Sequence, residues 1–107
     1  MISTLEKLLG TPRDGALLRY SLGLEYRKAG APDKALEHLE EAVRRDPLYS
    51  AAWKVLGALL TELERPKEAL EAYRKGMEAA ARKGDRQAGK EMAVFARRLE
   101  RALGGGA

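Results

Sequence analysis

The residues with the greatest potential for chemistry are one histidine and the acidic residues around it. His38 is the single histidine of the chain, and Glu37, Glu40 and Glu41 lie beside it. Hydrolysis of the Ser–His–Asp type needs a histidine that is held by an acid and faces a nucleophile, and the sequence offers no such set. A hard cation needs a bent loop of oxygen ligands, whereas these glutamates share a helical stretch. The sequence therefore predicts no enzyme, no metal site and no cofactor, with His38 a surface or half-buried residue.

A line of basic residues near the C-terminus is the second chemical feature. The formal net charge of the chain is +4, and residues 82–107 supply all of it. Arg86, Lys90, Arg97 and Arg101 would lie along one side of a helix, where they could contact phosphates. Val94 interrupts this line, and no aromatic residue accompanies it for stacking on bases. The sequence therefore favours a solvated outer face, and nucleic-acid binding is the alternative.

The composition predicts an all-α fold. The chain has 107 residues, of which 45% are hydrophobic and 34% are charged, and Ala, Leu, Glu, Arg and Lys dominate. Because cysteine is absent, disulfides and thiolate metal sites are excluded. The sequence contains no apolar run long enough for a membrane span, and Glu6 and Lys7 interrupt the apolar patch at its start. We therefore expect a cytoplasmic protein that has no membrane partner.

An internal repeat accounts for two glycines that lie inside helical stretches, where glycine costs about 0.5–1 kcal/mol relative to alanine. A shift of 34 residues aligns Leu22-Gly23 with Leu56-Gly57, Pro32 with Pro66, and Ala35-Leu36-Glu37 with Ala69-Leu70-Glu71. A period in this range is typical of repeat architectures, in which each unit is a pair of helices. We predict that the helices of each pair touch backbone to backbone at Gly23 and Gly57.

Helix signals divide each unit into two helices. Thr11 as N-cap and Pro12 in the first turn would begin the first helix, and Gly30 would end it. Pro32 would begin the second, which would end at Pro47. The second unit would follow the same plan from about residue 50, with its second helix running from 66 to 84.

These residues resemble the tetratricopeptide repeat, whose pattern is W-x2-L-G-x2-Y, then A-x3-F, then P. The second unit matches the pattern at Trp53, Leu56, Gly57, Ala69 and, in the Phe position, Tyr73; the first matches it at Leu22, Gly23, Tyr26, Ala35 and Pro47. Together the units fill nearly the whole pattern, although neither fills it alone. The resemblance implies one domain, 1–107, that is an α-solenoid of antiparallel helix pairs. The repeats would span residues 16–49 and 50–83.

The segments outside the repeats are expected to cap the array. Residues 85–103 form an amphipathic pattern with Asp85 as N-cap, and their apolar face would comprise Ala88, Met92, Phe95, Leu99, Ala102 and Leu103. Residues 1–10 would form a short N-terminal cap, with Ser3 and Glu6 as a capping box. Residues 104–107 would be a flexible tail.

The resemblance also implies a functional surface. In this family the first helix of each repeat lines a concave groove that holds a peptide or a partner helix. The corresponding groove residues here are Leu17, Tyr20, Leu24, Arg27, Lys28, Lys54, Val55 and Ala58. Relatives that grip the C-terminal carboxylate of heat-shock chaperones use a clamp of Lys and Asn, but Tyr20, Leu24 and Val55 stand at those positions. We therefore do not expect that partner.

The sequence thus predicts a non-catalytic module that binds a protein or peptide partner through an apolar strip edged by basic residues. Two repeats are fewer than the three that a stable array usually needs, so the caps or a second copy must complete the core. The strip could therefore be covered by the chain's own termini or by a homo-oligomer. A self-assembling scaffold and a nucleic-acid-binding module are the alternatives.

Overall fold

The computed structural model describes residues 1–104, and every regular element within that range is an α-helix. The helices are α1 (Ile2–Glu6), α2 (Ala16–Lys28), α3 (Pro32–Arg45), α4 (Ser50–Glu62), α5 (Pro66–Lys83) and α6 (Arg86–Ala102). The all-α fold is therefore confirmed. The predicted tail at 104–107 lies outside the described residues, apart from Gly104.

The helices form two layers. Each helix from α2 to α6 packs against the next one along the chain, and α4 also contacts α2 on one side and α6 on the other. Helices α2, α4 and α6 therefore lie side by side in one layer, and α3 and α5 form the second. The described residues extend over 48 × 30 × 18 Å, which is the elongated shape of a stacked array.

A continuous apolar core runs between the layers. It extends from Leu18 in α2 to Leu99 in α6, and its largest fully buried side chains are Leu22, Leu39, Leu59 and Met92. Since these four come from α2, α3, α4 and α6, one core joins both predicted repeats to the C-terminal helix. The boundaries of the repeats themselves stay a prediction.

Three helix-interior glycines make room for large side chains of neighbouring helices. A Cβ atom on Gly23 would lie 2.6 Å from Leu39 Cγ, and one on Gly57 would lie 2.7 Å from the ring of Tyr73. A Cβ atom on Gly76 would collide with the thioether of Met92. The predicted backbone-to-backbone contact is therefore wrong at Gly57, where a large side chain from one helix inserts against the glycine of the other. At Gly23 the inserted side chain of Leu39 is nearest, but the Ala35 carbonyl oxygen of α3 also lies 3.5 Å from the Cβ position. Both kinds of contact require glycine, so the sequence pattern alone does not distinguish them.

Local signals explain most helix ends. Pro32 and Pro66 occupy the first turns of α3 and α5, where the missing N–H leaves no hydrogen bond unmade. Gly84 ends α5 in the left-handed conformation, at φ +72°. The Asp85 carboxylate accepts a hydrogen bond from the Ala88 N–H at 3.1 Å, as predicted for the N-cap of α6.

The predicted start of α2 is wrong. The helix begins at Ala16, after Gly15 as N-cap, and the segment that contains Thr11 and Pro12 is a turn. The Asp14 carboxylate is held by Arg19 Nε at 2.9 Å and by the Gly10 N–H at 2.9 Å. These short-range contacts hold Asp14 outside the helix, and the hydrogen bond from Arg19 is the main cause that lowers the pKa of Asp14.

The N-terminal segment packs on the array, although the predicted capping box does not form. Ser3 lies inside α1, whose N-cap is Met1. Glu6 accepts a hydrogen bond from the Tyr26 hydroxyl at 2.6 Å, so its carboxylate serves a tertiary contact instead. Leu5 and Leu8 are half-buried against the core.

His38 is more buried than the sequence indicates. Only 8% of its surface is exposed, and its ring stacks on Tyr26 with the centroids 5.5 Å apart. Its Nδ1 makes no hydrogen bond within residues 1–104. Burial lowers the pKa of His38, nearby Arg19 lowers it further, and the carboxylates of Glu37, Glu6 and Asp14 oppose this shift.

The apolar residues of the predicted α6 face differ in burial. Met92 and Leu99 are buried, whereas 36% of Phe95 and 38% of Leu103 remain exposed. Ala102, the last residue of α6, is exposed as well. Phe95 nevertheless stacks on Tyr73 of α5, with the ring centroids 5.5 Å apart, so the predicted face is corrected only at Ala102 and Leu103, which are exposed.

The glycine contacts lead to a prediction. The Gly57→Ala variant should lower the free energy of unfolding by about 1–3 kcal/mol, because the rigid, buried ring of Tyr73 cannot move away from the new methyl group. Gly89→Ala is the matched control: its Cβ would lie 3.8 Å from Ala80 Cβ, an ordinary contact, so it should stabilise by about 0.5–1 kcal/mol. Urea unfolding followed by circular dichroism measures both, and equal effects of the two substitutions would contradict the contact.

Burial of His38 makes stability depend on pH. In the unfolded chain His38 binds a proton below about pH 6.5, whereas in the folded chain its lowered pKa delays protonation to a lower pH. The melting temperature should therefore fall as pH decreases from 7 to 5. The acidic groups with strongly lowered pKa values, Asp14 and Glu41, titrate below this range. Thermal unfolding of His38→Leu should show a clearly flatter pH dependence, and an identical fall in both proteins would refute the assignment.

Candidate functional site

The predicted groove residues lie on the layer formed by α2, α4 and α6. Leu17, Tyr20 and Leu24 follow one another at helical spacing along one side of α2, and Lys54 and Ala58 do so on α4. Leu17 is 68% exposed and Leu24 is 37% exposed. Tyr20, Val55 and Ala58 are half-buried. The structure thus places an accessible apolar strip across α2 and α4, which we call the concave groove.

One end of the concave groove is polar. Arg27 donates from Nε to Glu62 Oε1 at 3.1 Å and from Nη2 to Glu62 Oε2 at 2.5 Å, which joins α2 to α4. This bond lowers the pKa of Glu62. The pair borders a cavity of about 510 Å³ that Leu24 and Lys28 also line. Because both ions are partly exposed, the pair contributes little to stability.

Helix α6 forms the third wall of the concave groove, which the sequence reasoning missed. Lys54 Nζ donates to Glu91 Oε1 at 2.7 Å, and this contact brings the groove side of α4 against α6. Val94 and Phe95 follow Glu91 on the same side of α6 and are 45% and 36% exposed. Val94 and Phe95 lie three and four residues after Glu91, a spacing that places residues on the same side of a helix. This spacing identifies them as groove residues only after the structure has placed Glu91 beside Lys54.

Two glutamates of the concave groove are paired within the chain. Glu62 binds Arg27, and Glu91 binds Lys54, which lowers the pKa of each glutamate. Lys28 is exposed and makes no ion pair among the residues that the structure describes. Glu25 lines the same cavity and likewise makes no ion pair among those residues. The polar end therefore offers one unpaired charge of each sign, next to an apolar floor.

Other kinds of site find no support in the described part of the chain. Within residues 1–104, no group of three or more His, Asp or Glu side chains is close enough to hold a metal ion. No helix in this range is long and apolar enough to cross a membrane. The basic residues Arg86, Lys90, Arg97 and Arg101 are all exposed, as expected for a solvated outer face.

Comparison with known proteins identifies the family. The tetratricopeptide repeat family model matches residues 20–85. The TPR repeat-containing protein PA0015 of Pseudomonas aeruginosa is 47% identical over 102 residues, which are 95% of this chain and 97% of the relative. The chain therefore belongs to the tetratricopeptide repeat family, and it is a protein-interaction module of that family.

A solved structure and a more distant relative agree with this assignment. The solution structure of protein BPP2914 from Bordetella parapertussis superposes with a TM-score of 0.79 at 41% identity, covering 95% of this chain and 89% of that one. The heat-shock protein cognate co-chaperone sgt12 of Aspergillus fumigatus is 36% identical over 77 residues. Those residues are 72% of this chain but only 23% of the co-chaperone.

The third wall should depend on apolar packing more than on its ion pair. Met92→Ala should lower the free energy of unfolding by about 2–5 kcal/mol, because Met92 is fully buried against Gly76. Glu91→Gln, one residue away, should cost less than about 1 kcal/mol, because its partner is partly exposed. Urea unfolding compares the two variants, and a larger loss for Glu91→Gln would show that the ion pair holds α6.

Proposed function

We propose that the concave groove binds an apolar segment of a partner protein, and that acidic residues flank this segment. The observation that carries the proposal is a set of exposed apolar side chains, Leu17 and Leu24 on α2 and Val94 and Phe95 on α6. Helix α4, with the half-buried Val55 and Ala58, lies between these two helices. Exposed apolar side chains that cluster in a concave surface mark binding sites. A helix or an extended segment could bury them and thereby gain the hydrophobic free energy.

A basic residue at the polar end favours an acidic flank in the partner. Arg27 and Lys54 neutralise Glu62 and Glu91, whereas Glu25, which lines the same cavity, is not neutralised in this way. Lys28 remains available at the end where the cavity opens. Charges at a rim mainly steer association and set its specificity, whereas the apolar floor supplies most of the affinity.

The similarity to a co-chaperone supports protein binding in general but not the same ligand. By the family resemblance, Tyr20, Leu24 and Val55 stand where the chaperone-binding relatives have Lys and Asn, so the groove lacks that clamp. A role as an adaptor or scaffold in the cytoplasm is part of the same proposal.

The introduction of negative charge into the apolar floor of the groove tests the proposal. The Leu24→Glu/Val55→Glu variant should lose most of the proteins that the tagged wild type captures, because two carboxylates replace the apolar floor. The matched control is Leu48→Glu: Leu48 is 39% exposed, close to the 37% of Leu24, but lies in the turn between α3 and α4. Quantitative mass spectrometry of the captured proteins provides the comparison, and circular dichroism verifies the helical content of each variant.

Two results would reject the proposal. The first is capture that is unchanged in the groove variant, and the second is equal loss in the control. Sedimentation at several concentrations adds a further check. If the groove is instead covered by a second copy, the wild type will be a dimer and the Leu24→Glu/Val55→Glu variant a monomer.

A further inference from the structure

A second groove lies at the C-terminal end of the array, on the opposite side of α6 from the concave groove. It runs between α5 and α6 and has a volume of about 570 Å³. Its apolar floor is formed by Met77, Ala80 and Ala81 of α5 and by Gly89 and Ala93 of α6. We call this surface the end groove.

The arrangement of the helices shows why the end groove is open. Helix α2 is covered by α3, which inserts Leu39 against Gly23, and α4 is covered by α5, which inserts Tyr73 against Gly57. Helix α6 occupies the third place in the same layer, but no second helix follows it within residues 1–104. The end groove is the place where such a helix would pack.

The register of α6 agrees with this interpretation. Helix α6 begins 36 residues after α4, and the same interval leads from Gly57 to Ala93. Ala93 lines the end groove, so the position that receives the inserted aromatic ring in α4 is small and accessible in α6. A large side chain of an added helix could insert there in the same way.

Gly89 supplies an independent observation. The helix-interior glycines at 23, 57 and 76 are each required by a neighbouring side chain, whereas a Cβ on Gly89 would meet only Ala80 Cβ, at 3.8 Å. The chain's own packing therefore gives no reason for a residue that costs helix stability. A partner helix that packs closely against α6 would explain why glycine is present at position 89.

The charge around the end groove specifies the chemistry of the occupant. Arg86 and Lys90 line its rim and are exposed. The one carboxylate at the rim, Asp85, already accepts the N-capping hydrogen bond from Ala88. Two basic residues against one carboxylate leave the rim with a net positive charge, which complements a helix that is apolar on one face and acidic on the other.

We propose that the end groove binds an acidic amphipathic helix of a partner protein, on a surface separate from the concave groove. The bound helix would complete the two-layer packing of α6, with a large apolar residue against Gly89 and Ala93. Glutamate or aspartate residues of the bound helix would contact Arg86 and Lys90. An apolar floor with no exposed aromatic ring favours a protein helix over a nucleic acid, for which stacking would be expected.

The test uses a synthetic peptide with the sequence of α3, in which its three basic residues are replaced by glutamate. This peptide keeps the apolar face that packs against a first helix in the protein itself. When it is added to the full ¹⁵N-labelled chain, the amide signals of Gly84, Gly89 and Ala93 should shift. A version of the peptide that carries lysine in place of its acidic residues should shift them at least fivefold more weakly at equal concentration.

Variants of the chain locate the binding site. Arg86→Glu/Lys90→Glu should weaken peptide binding at least fivefold, and Arg13→Glu/Lys67→Glu, which changes the net charge equally, should leave it unchanged. Gly89→Leu should abolish binding by filling the floor; thermal unfolding confirms that the variant is folded. The Leu24→Glu/Val55→Glu variant should bind the peptide normally, so failure of this proposal and failure of the concave groove are distinguishable.

Several outcomes would overturn the proposal. They are signal shifts confined to the concave groove, equal weakening in both charge variants, and no shift at millimolar peptide. A single-stranded oligouridylate that shifts the same amides at lower concentration than the peptide would assign the end groove to nucleic acid. Shifts of the same amide signals that depend on the concentration of the protein, in the absence of peptide, would show that a second copy of the chain occupies the end groove.

Discussion

The spacing of the helices is set by large side chains that insert against glycines. Leu39 occupies the space left by Gly23, Tyr73 the space left by Gly57, and Met92 the space left by Gly76. Because each contact joins two helices, the three together fix α2 to α3, α4 to α5, and α5 to α6. The layer of α2, α4 and α6, and hence the floor of the concave groove, depends on these distances. Interiors are close-packed, so an added methyl group cannot be absorbed without displacing a helix.

The ion pairs have a different role from the inserted side chains. Arg27 with Glu62 and Lys54 with Glu91 both cross between helices of the groove layer, yet all four side chains remain partly exposed. Such pairs add little stability. Their effect is to neutralise Glu62 and Glu91, which leaves Lys28 and Glu25 as the unpaired charges at the polar end, beside an apolar floor. Packing thus sets the shape of the surface, and the ion pairs set its charge.

Much of the fold followed from local signals, because proline, glycine and apolar spacing act within a few residues. Pro32 and Pro66 identified the starts of α3 and α5, and the 34-residue interval between Gly23 and Gly57 identified the pairing of helices. The errors have two sources. Thr11 was predicted to begin α2, but Asp14 binds Arg19 and the Gly10 N–H, and these short-range contacts keep Thr11 outside the helix. The burial of His38, the hydrogen bond from Tyr26 to Glu6 and the third wall on α6 depend instead on contacts between distant residues.

The central claim is that the glycine positions accept inserted side chains, and a double-mutant cycle between Gly23 and Leu39 tests it most directly. Gly23→Ala alone should lower the free energy of unfolding, because its Cβ would lie 2.6 Å from Leu39 Cγ. In a Leu39→Ala background the same substitution should cost nothing or stabilise slightly, which gives a coupling energy of about 1 kcal/mol or more. Strictly additive effects of the two substitutions would contradict the account.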